Sequence, residues 1–244
     1  MSCPDPGLQQ LRHNAAMSEL PLPRIVRAHD CRRERWRNGA GWTREILTVP
    51  AFSGDSMAGP DWAARLSIAD IEVDADYSLF PGVMREQALL SGEGLRLQAG
   101  EEVHELLPPL GRWRFSGALP VRAVLVGGRV EAFNLMWRPA LVDARLLHRP
   151  LVGTMLFFCP PGLTWVVHVV AGSARLAAGE ASLVLERGDT ALLAPCADRR
   201  FMLDGGADLL LVRLQAQDGA SVAGLDERAN LPDADVIARG GDAA

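Results

Sequence analysis

The chain has 244 residues, 48% hydrophobic and 23% charged, with a net charge of −5 and a pI near 5.6. This is the composition of a globular chain long enough to bury a core in one large β domain or two small ones, and its acidic balance excludes nucleic acid as the main partner, because phosphate neutralisation needs a concentrated positive face. The 25 basic residues are all arginine, which excludes lysine Schiff-base and P-loop chemistry.

Four cysteines (Cys3, Cys31, Cys159, Cys196) are widely spaced with no CxxC pair, so neither a disulfide framework nor a zinc knuckle is expected. The first residues lack an apolar signal region, and no apolar run approaches the ~18 residues of a membrane span. A cytoplasmic protein with no membrane partner is expected.

Residues 1–20 are polar and rich in turn formers, and are expected to be disordered. Patterned sequence begins only at "LPRIVRAHD", which leaves Met1 and Met17 both as candidate starts. A basic run from Cys31 to Arg37 leads into "WRNGAGWTRE" (36–45), a glycine-rich turn entering a strand. Alternation places Thr43 and Glu45 on one face of that strand, with Glu45 inward and Arg44 outward. In "DWAARLSIADI" the same rule puts Arg65, Ser67 and Ala69 on one face, and Leu66, Ile68 and Asp70 on the other. Arg65 reads equally as a bidentate carboxylate binder or as a solvated edge-strand arginine.

"FPG" (80–82) marks a turn, after which Arg85 starts a strand, either meeting an anion at a barrel rim or facing solvent. Short glycine turns are expected at Ser91–Gly94, Gly127-Gly128 and Ala171–Ser173. Asn134 in "EAFNLMW" lies within an apolar strand, so its amide is either structural or ligand-facing. Residues 140–150, "ALVDARLLHRP", are expected to hold one or two helical turns linking two halves. Residues 219–244 read as a flexible tail.

The chain also shows weak internal symmetry. "QALLSGEGLRLQAGEEVHELLPP" and "VHVVAGSARLAAGEASLVLERGDTALLAP" share an order of strand, tight glycine turn, strand, acidic turn, strand, proline. The pattern predicts an all-β fold of two cupin-type barrels, a bicupin, with residues 21–139 as the first barrel and 140–218 as the second.

Metal-binding cupins converge a His-x-His pair, a glutamate and a further histidine. The five histidines here (His13, His29, His104, His148, His168) form no such pair. Cys196, Ala197 and Asp198 follow "RGDTALLAP" where a ligand histidine would stand. No metal and no cofactor are expected. GxSxG is missing, and "GAGW" lacks the strand–turn–helix context of a dinucleotide fingerprint.

"WRNGAGWTREI", then "DWAARLSIADIEVDADYSLFPGVMREQALLSGEGLRL", then "FSGALPVRAVLVGGRVEAFNLMWR" resemble, in that order, the motifs of the HutD/Ves family over about residues 24–137. The resemblance implies a bicupin without the usual metal ligands, linked by gene context to histidine utilisation and acting as a modulator. It further implies a pocket in the first barrel formed by Trp36, Asn38, Gly39, Gly41, Thr43, Glu45, Arg65, Ser67, Arg85 and Asn134. Ala40 replaces a glycine common in the family, and Ala132 an aspartate common before "FNLM".

Two arginines with an asparagine amide and a glutamate suit a small ligand carrying a carboxylate, such as formylglutamate or urocanate. The leading expectation is therefore a metal-independent, ligand-binding regulatory protein, with a homodimer as a further expectation. One rival is an isomerase or hydrolase using Glu45 as general base and Arg85 as anion clamp. A second is a metal oxygenase assembled from scattered His and Glu.

Overall fold

In a computed structural model the protein is described for residues 23–36, 38–51, 60–179, 181–195 and 200–217. The expectations for residues 1–20, for 219–244 and for Cys196–Asp198 lie outside these. The strands are, in chain order, β1 (Arg24–Val26), β2 (Arg33–Arg35), β3 (Gly41–Pro50), β4 (Trp62–Ile71), β5 (Ala75–Asp76), β6 (Met84–Ser91), β7 (Leu95–Ala99), β8 (Glu102–Leu106), β9 (Arg112–Ser116), β10 (Arg122–Leu125), β11 (Val130–Trp137), β12 (Val142–Phe158), β13 (Leu163–Ala178), β14 (Ala181–Glu186), β15 (Thr190–Leu193) and β16 (Arg200–Ala216). The fold is all-β, as the alternation predicts. One short 3-10 turn, Ala28–Asp30, is the only helical element among the described residues. No helix among them is long and apolar enough to cross a membrane.

The N-terminal half holds two sheets. One has the order β2-β3-β4-β11-β6-β9, and the other β5-β10-β7-β8. Most of the C-terminal half forms a third sheet, ordered β1-β15-β13-β16-β12, with β14 paired to β13. The N-terminal strand β1 belongs to this third sheet: Arg24, Ile25 and Val26 pair with Leu192, Ala191 and Thr190. Beside it, Asp189 accepts hydrogen bonds from Arg27 (2.7 Å) and from the backbone of Ala28 and Glu186 (3.0 Å each). Burial works against that carboxylate's charge, but these donors outweigh it and hold its pKa below the usual range.

Two local expectations are corrected. Residues 142–150 are strand, not helix. Their inward residues Val142, Ala144 and Leu146 recur at period two, and long-range pairing of β12 with Ala207–Ala216 of β16 holds them extended. Ala171–Ser173 is not a hairpin turn but paired strand within β13, just after a bulge at Val170 in its pairing with β16. Gly172 supplies the positive φ (+76°), and a Cβ there would collide with the carbonyl of Gly206. Gly153 of β12 pairs with Gly205 of β16, two residues along from the partner of Gly172.

The two halves share one core. Leu66, Phe133, Leu135 and Ala88 from the first pack with Val142, Leu146, Val166, Leu210 and Val212 from the second. His168 lies against this seam, 2% exposed, with Nδ1 2.9 Å from the Thr190 hydroxyl and its ring 5.3 Å from that of Phe133. Burial, reinforced by the nearby Arg44 charge, pushes its pKa down to about 4 despite the opposing pull of Asp189. The unfolded chain, with an ordinary histidine near 6.5, takes up the proton first as pH falls. Stability should therefore drop progressively from pH 6.5 to pH 4, by about 3 kcal/mol in all. Urea denaturation across that range checks this: His168→Gln should flatten the pH dependence, and an equally steep profile in the variant would refute it.

Candidate functional site

Alternation on β4, β11 and β6 sorts their side chains onto two faces. Leu66, Ile68, Phe133, Leu135 and Ala88 enter the shared core. The opposite face carries Arg65, Ser67, Ala69, Asn134, Met136, Arg85 and Gln87, which line a cavity of about 510 Å³. Strand register sets these residues in rows: Arg65, Met136 and Arg85 lie side by side across the three strands, and Ser67, Asn134 and Gln87 form the next row. Thr43 joins from β3 beside Ala69. Trp36 and Asn38 close one side, and Asp76, Tyr77, Ser78 and Phe80 another.

The opening stretch builds its wall by local hydrogen bonds. Trp36 accepts from the Gly39 N–H (2.9 Å), and its own N–H donates to the Gly41 carbonyl (3.0 Å). Its indole N–H donates to the Thr43 hydroxyl at 2.8 Å. Asn38 does not reach outward through its Oδ1, which accepts the Ala40 N–H at 3.1 Å. Gly41 lies against β4 so closely that a Cβ would collide with the Asp70 carbonyl, which explains the glycine as a packing requirement.

Of the ten residues expected at the site, Trp36, Asn38, Thr43, Arg65, Ser67, Arg85 and Asn134 line the one cavity. Gly39, Gly41 and Glu45 are not among the lining residues. Glu45 sits at a β-bulge, where the pairing of β3 with β4 shifts between Glu45 and Leu47. Its Oε2 accepts a 2.9 Å hydrogen bond from Arg65 Nε, and its side chain is 43% exposed. Arg44 does face away from the cavity, yet it is no solvated arginine. It pairs with Glu131 (2.7 Å) and Asp70 (3.2 Å), and Asp70 pairs also with Arg33 (3.2 Å). Trp42 is covered by the guanidinium groups of Arg33 and Arg35, 4.4 and 4.9 Å from its ring centre.

Arg85 is the one buried arginine among the described residues of this sheet. Its residue is 7% exposed, and no carboxylate pairs with it among the described residues. Its guanidinium lies over the rings of Tyr77 (4.7 Å) and Phe115 (5.2 Å). Its Nη2 stands 3.5 Å from Asn134 Oδ1, a marginal contact, and its Nε has no hydrogen-bond partner. Burial pushes its pKa below the usual arginine range, with Tyr77 opposing. The Tyr77 hydroxyl donates to Gln87 Oε1 at 3.1 Å, which turns the Gln87 amide nitrogen away from that contact. Burial raises the Tyr77 pKa, so it stays protonated as a donor. The sequence reading missed Tyr77 and Gln87. Gln87 was within reach, since it shares a strand face with Arg85; Tyr77 arrives on the connection just after β5. No group of three or more His, Cys, Asp or Glu converges among the described residues.

The HutD family profile matches residues 28–211. The chain belongs to the HutD family. A curated relative from Pseudomonas putida, an uncharacterized 21.2 kDa protein in the hutC 3′ region, is 40% identical over 130 residues, which is 53% of this chain and 64% of that relative's length. Two solved structures are similar over 80% of this chain and 100% of theirs. One is a conserved protein of unknown function from Pseudomonas aeruginosa PAO1 (26% identity, TM-score 0.69). The other is HutD from Pseudomonas fluorescens SBW25, in a formate condition (30% identity, TM-score 0.66). A more distant likeness to oxalate decarboxylase from Lactobacillus farciminis (11% identity, TM-score 0.54) extends to the fold alone and agrees with the cupin-type expectation.

Arg85 also sets a stability expectation for this HutD-family chain. Burying an uncompensated cation costs several kcal/mol, while each ring contact returns about 0.5–2 kcal/mol. Arg85→Met should therefore unfold, without ligand, at a urea concentration equal to or above that of the wild type. A clear fall in the midpoint would show that the guanidinium is already satisfied.

Proposed function

We propose that the protein binds a small carboxylate from histidine breakdown, such as formylglutamate or urocanate, in the N-terminal cavity. It acts in the cytoplasm as a metal-independent modulator of histidine utilisation. The observation that carries this reading is the buried, carboxylate-free guanidinium of Arg85 with its orphaned Nε. An incoming carboxylate supplies the missing counter-charge in a setting where charge-assisted hydrogen bonds are strong. The amides of Asn134 and Gln87 and the hydroxyl of Ser67 stand in the adjacent row as further donors. Family membership, with its association with histidine-utilisation genes, supports the pathway.

The enzymatic alternative asks Glu45 to take a proton from a ligand held by Arg85. Glu45 is instead engaged by Arg65 and is not among the residues lining the cavity, which favours binding over turnover.

Calorimetric titration of the full chain with formylglutamate and with urocanate tests the proposal. Binding of at least one is expected, weakened about 10- to 100-fold in Arg85→Met and little changed in Glu45→Gln. No heat with either compound, or unchanged affinity in Arg85→Met, would overturn it. Conversion of a bound compound that stops in Glu45→Gln would replace it with the enzymatic reading.

A further inference from the structure

Exposed apolar side chains gather on the outer part of β12. Val152 is 91% exposed, Phe158 61% and Leu156 45%, and Leu156 pairs in register with the exposed Met202 of β16. Val152, Thr154, Leu156 and Phe158 alternate with the inward Leu151, Met155 and Phe157 and so share one face. β12 is also an edge strand. It pairs with β16 on one side, and no strand pairs with its other side among the described residues.

Exposed edges are usually blunted by charge, because their free N–H and C=O groups are a template for another strand. The first part of β12 follows that rule, with Asp143, Arg145, His148 and Arg149. From Leu151 to Cys159 there is no charge at all, and Pro150 and Pro160 bracket the segment. An uncharged, apolar edge between two residues that lack an N–H can pair only over a defined length.

We propose that residues 152–158 of β12 pair antiparallel with the same residues of a second copy of this chain, about a two-fold axis at Met155. Met155 lies midway between Pro150 and Pro160, so this register uses the uncharged segment between the two prolines. Val152 and Phe158 stand equally far from Met155, so one rotation sets Val152 against the partner's Phe158 and repeats the contact on the other side. Thr154 then faces the partner's Leu156. An axis on a residue keeps outward side chains opposite outward ones, whereas an axis between residues would set Val152 against an inward position. No like charges meet, since the segment carries none. The two outer sheets join edge to edge, and the N-terminal cavity, lined by residues of β2 to β11, is left open.

Edge pairing of this size belongs with small interfaces, so the dimer should dissociate on dilution from about 100 μM. Sedimentation velocity of the full chain over a dilution series is expected to show that transition. The double variant Val152→Glu/Phe158→Glu should be monomeric throughout with an unchanged circular dichroism spectrum, as both positions are open to solvent in a single copy. In a second arm, Val152→Cys/Phe158→Cys should form an intermolecular disulfide on mild oxidation, and Val184→Cys, exposed on the same sheet away from this edge, should not. A wild type that stays monomeric at every concentration, or a dimer unaffected by the two glutamates, would overturn the proposal. So would a monomer in which cysteines at 152 and 158 resist thiol labelling, because the chain's own residues would then cover the edge.

Discussion

The structure depends on the position of β11 between β4 and β6. Its alternating residues serve two incompatible environments. Phe133 and Leu135 are fully buried in the core shared by both halves, while Asn134 and Met136 face the cavity. A slip of one residue would place an asparagine amide in the core and a phenylalanine in the polar cavity. The burial of the inward face therefore fixes the register, and the register in turn aligns Arg65 with Arg85 and Ser67 with Gln87. The site is a by-product of how the core is packed.

Charge is handled differently on the two faces of this sheet. On the core side, Arg44 and Arg33 are paired with the carboxylates of Asp70 and Glu131, although Arg44 Nε itself has no hydrogen-bond partner, and Glu131 also accepts from Ser91 (3.1 Å). On the cavity side, Arg65 is satisfied by Glu45 and Arg85 by no carboxylate. The aromatic surfaces of Tyr77 and Phe115 soften the desolvation of Arg85 without neutralising it. An arginine that is buried, stacked and unpaired is poised for an external anion. One already held by carboxylates is part of the scaffold.

The halves are not independent bodies strung together. β1 completes the C-terminal sheet, Asp189 ties residues 27 and 28 to it, and apolar residues from both halves meet in one core. The neutral His168 at that seam makes the assembly sensitive to acid.

By itself the sequence determined the all-β class and the facing of individual side chains, because strand periodicity is a property of a few consecutive residues. Arg65, Ser67, Arg85 and Asn134 were legible as candidates for that reason, as polar residues within apolar runs, whereas Thr43 entered through the family resemblance. The ordered motifs from "WRNGAGWTREI" to "FNLMW" were enough to name the family. Only the tertiary structure decided which faces meet. Glu45 keeps the face that alternation gives it, opposite Ser67, but is half-exposed and engaged by Arg65. Tyr77 came to the cavity on the connection that follows β5, β1 crossed to the far half, and residues 142–150 were held extended by a strand more than fifty positions away. Each of these rests on pairing between distant segments, whose free energy comes from contacts that no local window contains.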